Sequence, residues 1–113
     1  MNQHLRVSQI LEKLELELKR LALWQERAPA AEALASTLPF CMDTLEFHQW
    51  LQFVLLVRLR QMLLLQMALP AQIALYPMAT EVYKQSRAHH ERLIACLADL
   101  DEVLTGRPVE RTL

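Results

Sequence analysis

Arg58 is the residue in this chain that most needs a chemical explanation. It stands inside a long apolar run: Trp50, Leu51, Phe53, Val54, Leu55, Leu56, Val57, Leu59, Met62, Leu63, Leu64, Leu65 and Met67. On a helix turning about 100° per residue it shares a stripe with Phe47, Trp50, Val54 and Leu65. A guanidinium in such company must meet a carboxylate or extend its head to water. Glu15, Glu81 and Asp101 are the candidate partners for an internal ion pair. A second reading is a small-ligand site, binding or enzymatic, in which Arg58 holds a carboxylate or phosphate. Its borders would be Trp50 and the 36–44 segment with Ser36, Thr37, Phe40 and Thr44. Extension to solvent is the third, and the sequence leaves all three open.

The 36–44 segment, Ser-Thr-Leu-Pro-Phe-Cys-Met-Asp-Thr, offers hydroxyls and a carboxylate just before a helix. A helix start favours anions, but Asp43 already brings negative charge there and would repel a phosphate. Its better role is as N-cap, with Glu46 three residues on reaching back to the Asp43 amide. Met42 and Phe47 hold the flanking positions of a hydrophobic staple. Cys41 has only His48 nearby as a base, too little for a cysteine nucleophile. His89, His90 and Glu91 diverge by about 100° per step on a helix and cannot converge on one ion unaided. With one glycine, Gly106, the chain has no phosphate-cradling loop. No catalytic residue, metal site or cofactor is expected.

The elements that would position these groups follow from composition and period. The chain has 113 residues, 53% hydrophobic and 22% charged, with leucine dominant. Turn-rich sheets need glycine, asparagine or aspartate, so this composition predicts an all-α fold. A net charge of −1 disfavours direct nucleic-acid binding, which calls for a basic surplus. Cys41 and Cys96 read as two reduced thiols. Met1 to Arg6 lead straight into a charged amphipathic segment, the pattern of a cytoplasmic chain without a secretory leader.

Val7, Leu11, Leu14, Leu18 and Leu21 recur at spacings of four and three and predict a helix from His4 to about Arg27. Leu5, Leu16 and Leu23 lie on its opposite side, a candidate face for another helix or a second subunit. Pro29 ends that helix. The next runs from Thr44 to about Ala68 and is apolar nearly all round, so it is surrounded by protein or lipid. Arg58 and Arg60 at its middle cost roughly 2.5–3.5 kcal/mol each on insertion scales, which argues against a membrane span and for the centre of a bundle. After Leu69-Pro70, Pro77 opens a short helix, about 78–85. Ser86 caps a last one, about 87–105, carrying Leu93, Leu97, Leu100 and Leu104. Gly106 takes the left-handed stop position. The expectation is one four-helix, bundle-like domain over 1–106, with short connecting helical turns and a frayed 107–113 tail.

The string Ser36, Thr37, Pro39, Phe40, Met42, Asp43, Thr44, Glu46, Trp50, Leu51, Gln52, Val54, Leu55, Arg58 resembles the signature of the YqcC-like family of small uncharacterised bacterial helical proteins. The likeness extends to His4, Arg6, Val7, Leu11, Leu14, Glu15, Leu18 and Trp24, and to Leu69-Pro70, Pro77, Leu100 and Asp101. It implies a compact multi-helix fold without an assigned activity. It also implies a link to tRNA pseudouridine synthase C, beside whose gene such proteins are often encoded. That family places proline before the arginine matching Arg58; Val57 stands there in this chain, so a full hydrogen-bond ladder is expected in the long helix. The functional expectation is a non-enzymatic module that binds another protein or itself, with a tRNA-modifying enzyme as the partner the resemblance implies.

Overall fold

A computed structural model of the chain describes residues 2–30 and 45–111. Among the described residues the regular structure is helical throughout: α1 (Gln3–Arg20), α2 (Phe47–Trp50), a π-helical stretch (Leu51–Leu55), α3 (Leu56–Leu64), α4 (Leu75–Val82) and α5 (Glu91–Thr105). Helices α2 and α3 with the π stretch between them make one continuous rod. No described helix is long and apolar enough to cross a membrane.

The four-three leucine spacing does its predicted work. Val7, Leu11, Leu14 and Leu18 of α1 are buried, as are Leu93, Leu97, Leu100 and Leu104 of α5. Helix α5 packs on both α1 and α4, and α1 packs also on α3. Each of these fully buried leucines contributes roughly 1.5–3 kcal/mol. Truncating one, such as Leu97→Ala, would cost about 2–5 kcal/mol. Helix α5 is the most thoroughly enclosed element, burying Ile94, Cys96, Ala98 and Asp101 as well. The rod supplies one wall through Trp50, Leu51, Leu55, Leu56 and Leu59, and leaves Val57, Leu64 and Leu65 exposed. Among the described residues, the cover expected all round it is present on one side.

The rod's hydrogen-bond ladder is not uniform. The Leu56 amide donates to the Leu51 carbonyl, five residues back, so the full α-ladder expected there gives way to a π turn without any proline. The register explains its use. Trp50 and Leu59 are nine residues apart, about 180° on a regular helix, yet both are buried. The π turn adds residues without a matching advance in angle and lets both halves face the same core.

Helix ends depart most from expectation. Helix α1 stops at Arg20 rather than Arg27, closed by a Schellman motif. Ala22 has φ +60°, its amide donates to the Lys19 carbonyl at 3.0 Å, and the Leu23 amide donates to Leu18 at 2.8 Å. The rod ends the same way at Leu64, not Ala68: Gln66 has φ +55°, and the Met67 amide donates to the Met62 carbonyl at 2.9 Å. The last helix begins at Glu91, not 87, with His90 before it. Ser86 is not its cap, and its Oγ lies 3.1 Å from His90 Nδ1. Gly106, at φ +73°, ends α5. Beyond it, residues 107–111 of the expected tail make contacts with α5. The Val109 amide donates to Glu102 at 2.8 Å, and Arg111 pairs with Asp99 and Glu102.

Candidate functional site

Arg58 and Trp50, the two anchors of the expected anion pocket, face opposite ways. Trp50 is in the core, whereas Arg58 is exposed. Ser36, Thr37, Phe40 and Thr44, with Cys41 and Asp43, lie outside the described residues. The internal ion pair is absent, and each of its three candidate carboxylates is engaged elsewhere. Glu15 bridges Arg60 and Lys19, both at 2.8 Å, and these cations hold its carboxyl below the usual range, Lys19 most strongly. Glu81 pairs with Lys84 at 2.9 Å. Asp101 accepts from the backbone. Arg58 therefore extends to solvent, where its charge incurs no desolvation cost.

The rod's described start is set by Glu46, three residues after Asp43. Glu46 is the N-cap and Gln49 the third residue of a capping box, with the Glu46 amide donating to Gln49 Oε1 at 2.8 Å. The staple positions are then Leu45 and Trp50, and both are buried. The sequence contains two overlapping frames for one motif, and the described residues use the later.

A glutamine network locks this start to the chain leaving α1. Gln52, only 6% exposed, accepts from the Gln25 amide at 2.9 Å and donates to the Gln25 carbonyl at 2.7 Å. Gln49 Nε2 donates to Gln25 Oε1 at 3.2 Å. A buried primary amide thus satisfies both backbone groups of a residue outside any helix, as burial requires.

Asp101 performs a comparable task at α4. It is 3% exposed, and its two carboxylate oxygens accept from the Leu75 and Tyr76 amides at 2.9 and 2.8 Å. A helix start leaves four amides without intrahelical partners. Here Asp101 takes two, Pro77 at the third helical position has none, and Ala74 is exposed to water. Burial pushes the Asp101 carboxyl above the ordinary carboxylate value, partly offset by the two amides.

Other reactive types are placed inertly. Cys96 is buried with its thiol 3.6 Å from the Ile10 carbonyl, and burial drives its pKa up to about 12. His90 stacks on Tyr83 at 3.9 Å, and His89 meets His90 edge-on. Among the described residues no three His, Cys, Asp or Glu side chains gather as a metal site.

The described surface does hold exposed apolar side chains on two adjacent helices. Leu5 and Leu16, expected as an outer face of α1, are 50% and 64% exposed, whereas Leu23 packs partly against the core. On α3, Leu64 is 82% exposed and Val57 56%. His4 Nε2 lies 3.1 Å from the Met67 carbonyl and Glu15 bridges to Arg60, so α1 and α3 run antiparallel. Leu5 then lies towards the Leu64 end and Leu16 towards the Val57 end. Scattered apolar side chains on a surface are ordinary, and Leu16 lines a cleft towards α5 with Arg92 and Asp99; Val57 and Leu64, seven residues apart, stand together on one side of α3. Sequence reasoning found the α1 side chains and missed those on α3, because an all-round apolar helix gives no sign of which side stays open.

Comparison with known proteins bears on the family and the fold. The family described as DUF446, tRNA pseudouridine synthase C, matches residues 6–103. An uncharacterized protein of Haemophilus influenzae is 38% identical over 95 residues, 84% of this chain and 89% of that protein. The uncharacterized protein YqcC of Escherichia coli K12 is 34% identical over 104 residues, 91% and 92% of the two chains. A Pectobacterium carotovorum protein named tRNA pseudouridine synthase C is 39% identical over 70 residues, which is 62% of this chain and 19% of that one. The solution NMR structure of Escherichia coli YqcC superposes with a TM-score of 0.83 at 30% identity, covering 100% of this chain and 97% of that one.

Proposed function

Because this chain belongs to the DUF446 family, we propose that it is a cytoplasmic, non-enzymatic interaction module whose partner is an enzyme of the tRNA pseudouridine synthase C kind. The observation that carries this reading is the Pectobacterium protein of that name, in which the segment like this chain makes up 19% of the length. There a segment similar to this chain shares one polypeptide with a much larger remainder. Where such a module is a separate chain, the same association needs a noncovalent interface. The exposed apolar side chains of α3, Val57, Leu64 and Leu65, are what such an interface would use. A shared chain supplies a high effective concentration, so the separate module must make up that advantage with contact area.

The test is co-expression of this chain with the tRNA pseudouridine synthase C of the same cell, followed by size-exclusion chromatography with light scattering. A stable heteromeric peak at about 1 μM, in the affinity range of ordinary specific complexes, is the expected result. Separate elution of both proteins at tens of micromolar would overturn the proposal. Elution of this chain as a concentration-dependent dimer that excludes the enzyme would instead assign these side chains to self-association.

A further inference from the structure

Resting on the reading above, we infer that the enzyme docks on the open side of α3, through a segment that combines apolar side chains with a carboxylate directed at Arg58. Val57 and Leu64 are seven residues apart and therefore lie on one side of the helix, with Leu65 beside them; all three are at least half exposed. Such i, i+7 anchors are the spacing by which one helix lies against another surface.

The charge of this side sets the partner's chemistry. No Asp or Glu occurs between Phe47 and Thr80, so α3 brings only cations to its surface. Arg58 is exposed and makes no ion pair among the described residues. Arg60 stays 43% exposed while holding Glu15. An apolar strip edged by an exposed guanidinium is complementary to an acidic, apolar segment and repels a basic one.

The competing surface lies between α1 and α5, where two clefts of about 300 and 250 Å³ share Lys13 and Asp99. Arg6, Lys13 and Arg92 there alternate with Glu17, Asp99 and Glu102. Its charges already balance, so it selects no partner by sign. Anionic lipid is the other occupant that leucines and arginines on one helix would suit. Two arginines supply little of the electrostatic attraction that stable surface binding requires, and the protein partner is therefore favoured.

The experiment measures affinity between this chain and the enzyme by titration calorimetry, with Val57→Asp and Leu64→Asp on α3, and Leu5→Asp and Leu16→Asp as controls on α1. Each α3 variant is expected to weaken Kd by roughly tenfold or more, as loss of a central contact does. The α1 variants should stay within about threefold of wild type, and Arg58→Glu should weaken binding and flatten its salt dependence. All five side chains are exposed, so thermal melts should match wild type and separate binding loss from unfolding. If wild type binds but the α3 variants bind equally well, or the α1 variants are the ones that fail, the surface is wrong and the functional reading stands. If wild type does not bind the enzyme, the functional reading itself falls. Leu64→Asp abolishing self-association, or abolishing sedimentation with phosphatidylglycerol vesicles, in a chain that ignores the enzyme, would assign this side to a second copy or to a membrane and overturn the inference.

Discussion

Replacing Asp101 tests whether one carboxylate on α5 holds the start of α4. Asp101→Ala leaves the Leu75 and Tyr76 amides, which now donate at 2.9 and 2.8 Å, without acceptors in a buried setting. Each unsatisfied buried group costs about 1–3 kcal/mol, so the two together cost roughly 2–6 kcal/mol. Against this stands the penalty of burying a carboxylate, visible in its raised pKa, which the substitution removes. The backbone loss should win, for a net destabilisation of about 2–4 kcal/mol, a large share of a typical 5–15 kcal/mol. Asp101→Asn separates the two terms. It removes the charge and retains one acceptor, while its NH₂ group faces the other amide; about 1–3 kcal/mol should be lost. The assay is urea denaturation followed by circular dichroism at pH 7. The expected order is wild type, then Asn, then Ala. If both variants proved more stable than wild type, charge burial would outweigh capping and the assignment would fail. The pH dependence has a definite sign. The folded carboxyl has the higher pKa, so the folded state binds more protons than the unfolded state between the ordinary and raised values. The contribution of Asp101 to stability therefore declines as pH rises through that window and is more favourable below it. Asp101→Asn should remove this term.

The two left-handed residues other than glycine among the described residues offer a second test. At Ala22 and Gln66, φ +60° and +55°, glycine would relieve about 1–2 kcal/mol of Cβ strain but loosen the unfolded chain by about 0.4–1 kcal/mol. Ala22→Gly and Gln66→Gly should each raise stability by up to about 1 kcal/mol in thermal melts; a loss of that size would refute the Schellman reading. Gln52→Leu should cost roughly 1–3 kcal/mol and speed hydrogen exchange at the Gln25 amide, whose acceptor it removes; unchanged exchange would deny the network. Cys96, with its pKa at about 12, should resist alkylation at pH 8 in the folded protein and react in urea, as read by peptide mapping.

What the sequence made legible was the part governed by period. Leucines spaced by four and three marked α1 and α5 because burial of one stripe is the only way such helices gain stability. Helix ends were less legible because both Schellman turns use residues that ordinarily avoid the left-handed region, and because Asp43 and Glu46 begin two frames of the same capping signature. Asp101 had a visible signal: a carboxylate between Leu97, Leu100 and Leu104 on an otherwise apolar stripe. Its purpose was hidden, since the amides it serves lie 25 and 26 residues away.

Arg58 shows the limit most clearly. Its expected stripe was counted at a constant angle from Phe47 and Trp50, but the π turn at Leu51–Leu55 intervenes and the count loses its phase. A side chain placed among core groups on paper thus emerges on the open side. The same turn bears on function. By bringing Trp50 and Leu59 to one core, it sets which side of α3 the described helices cover. The apolar character left over on the other side, Val57, Leu64 and Leu65 beside Arg58, exceeds what this core uses. A helix apolar all round but covered on one side is a physical mismatch, and burial against the proposed partner is the arrangement that would remove it.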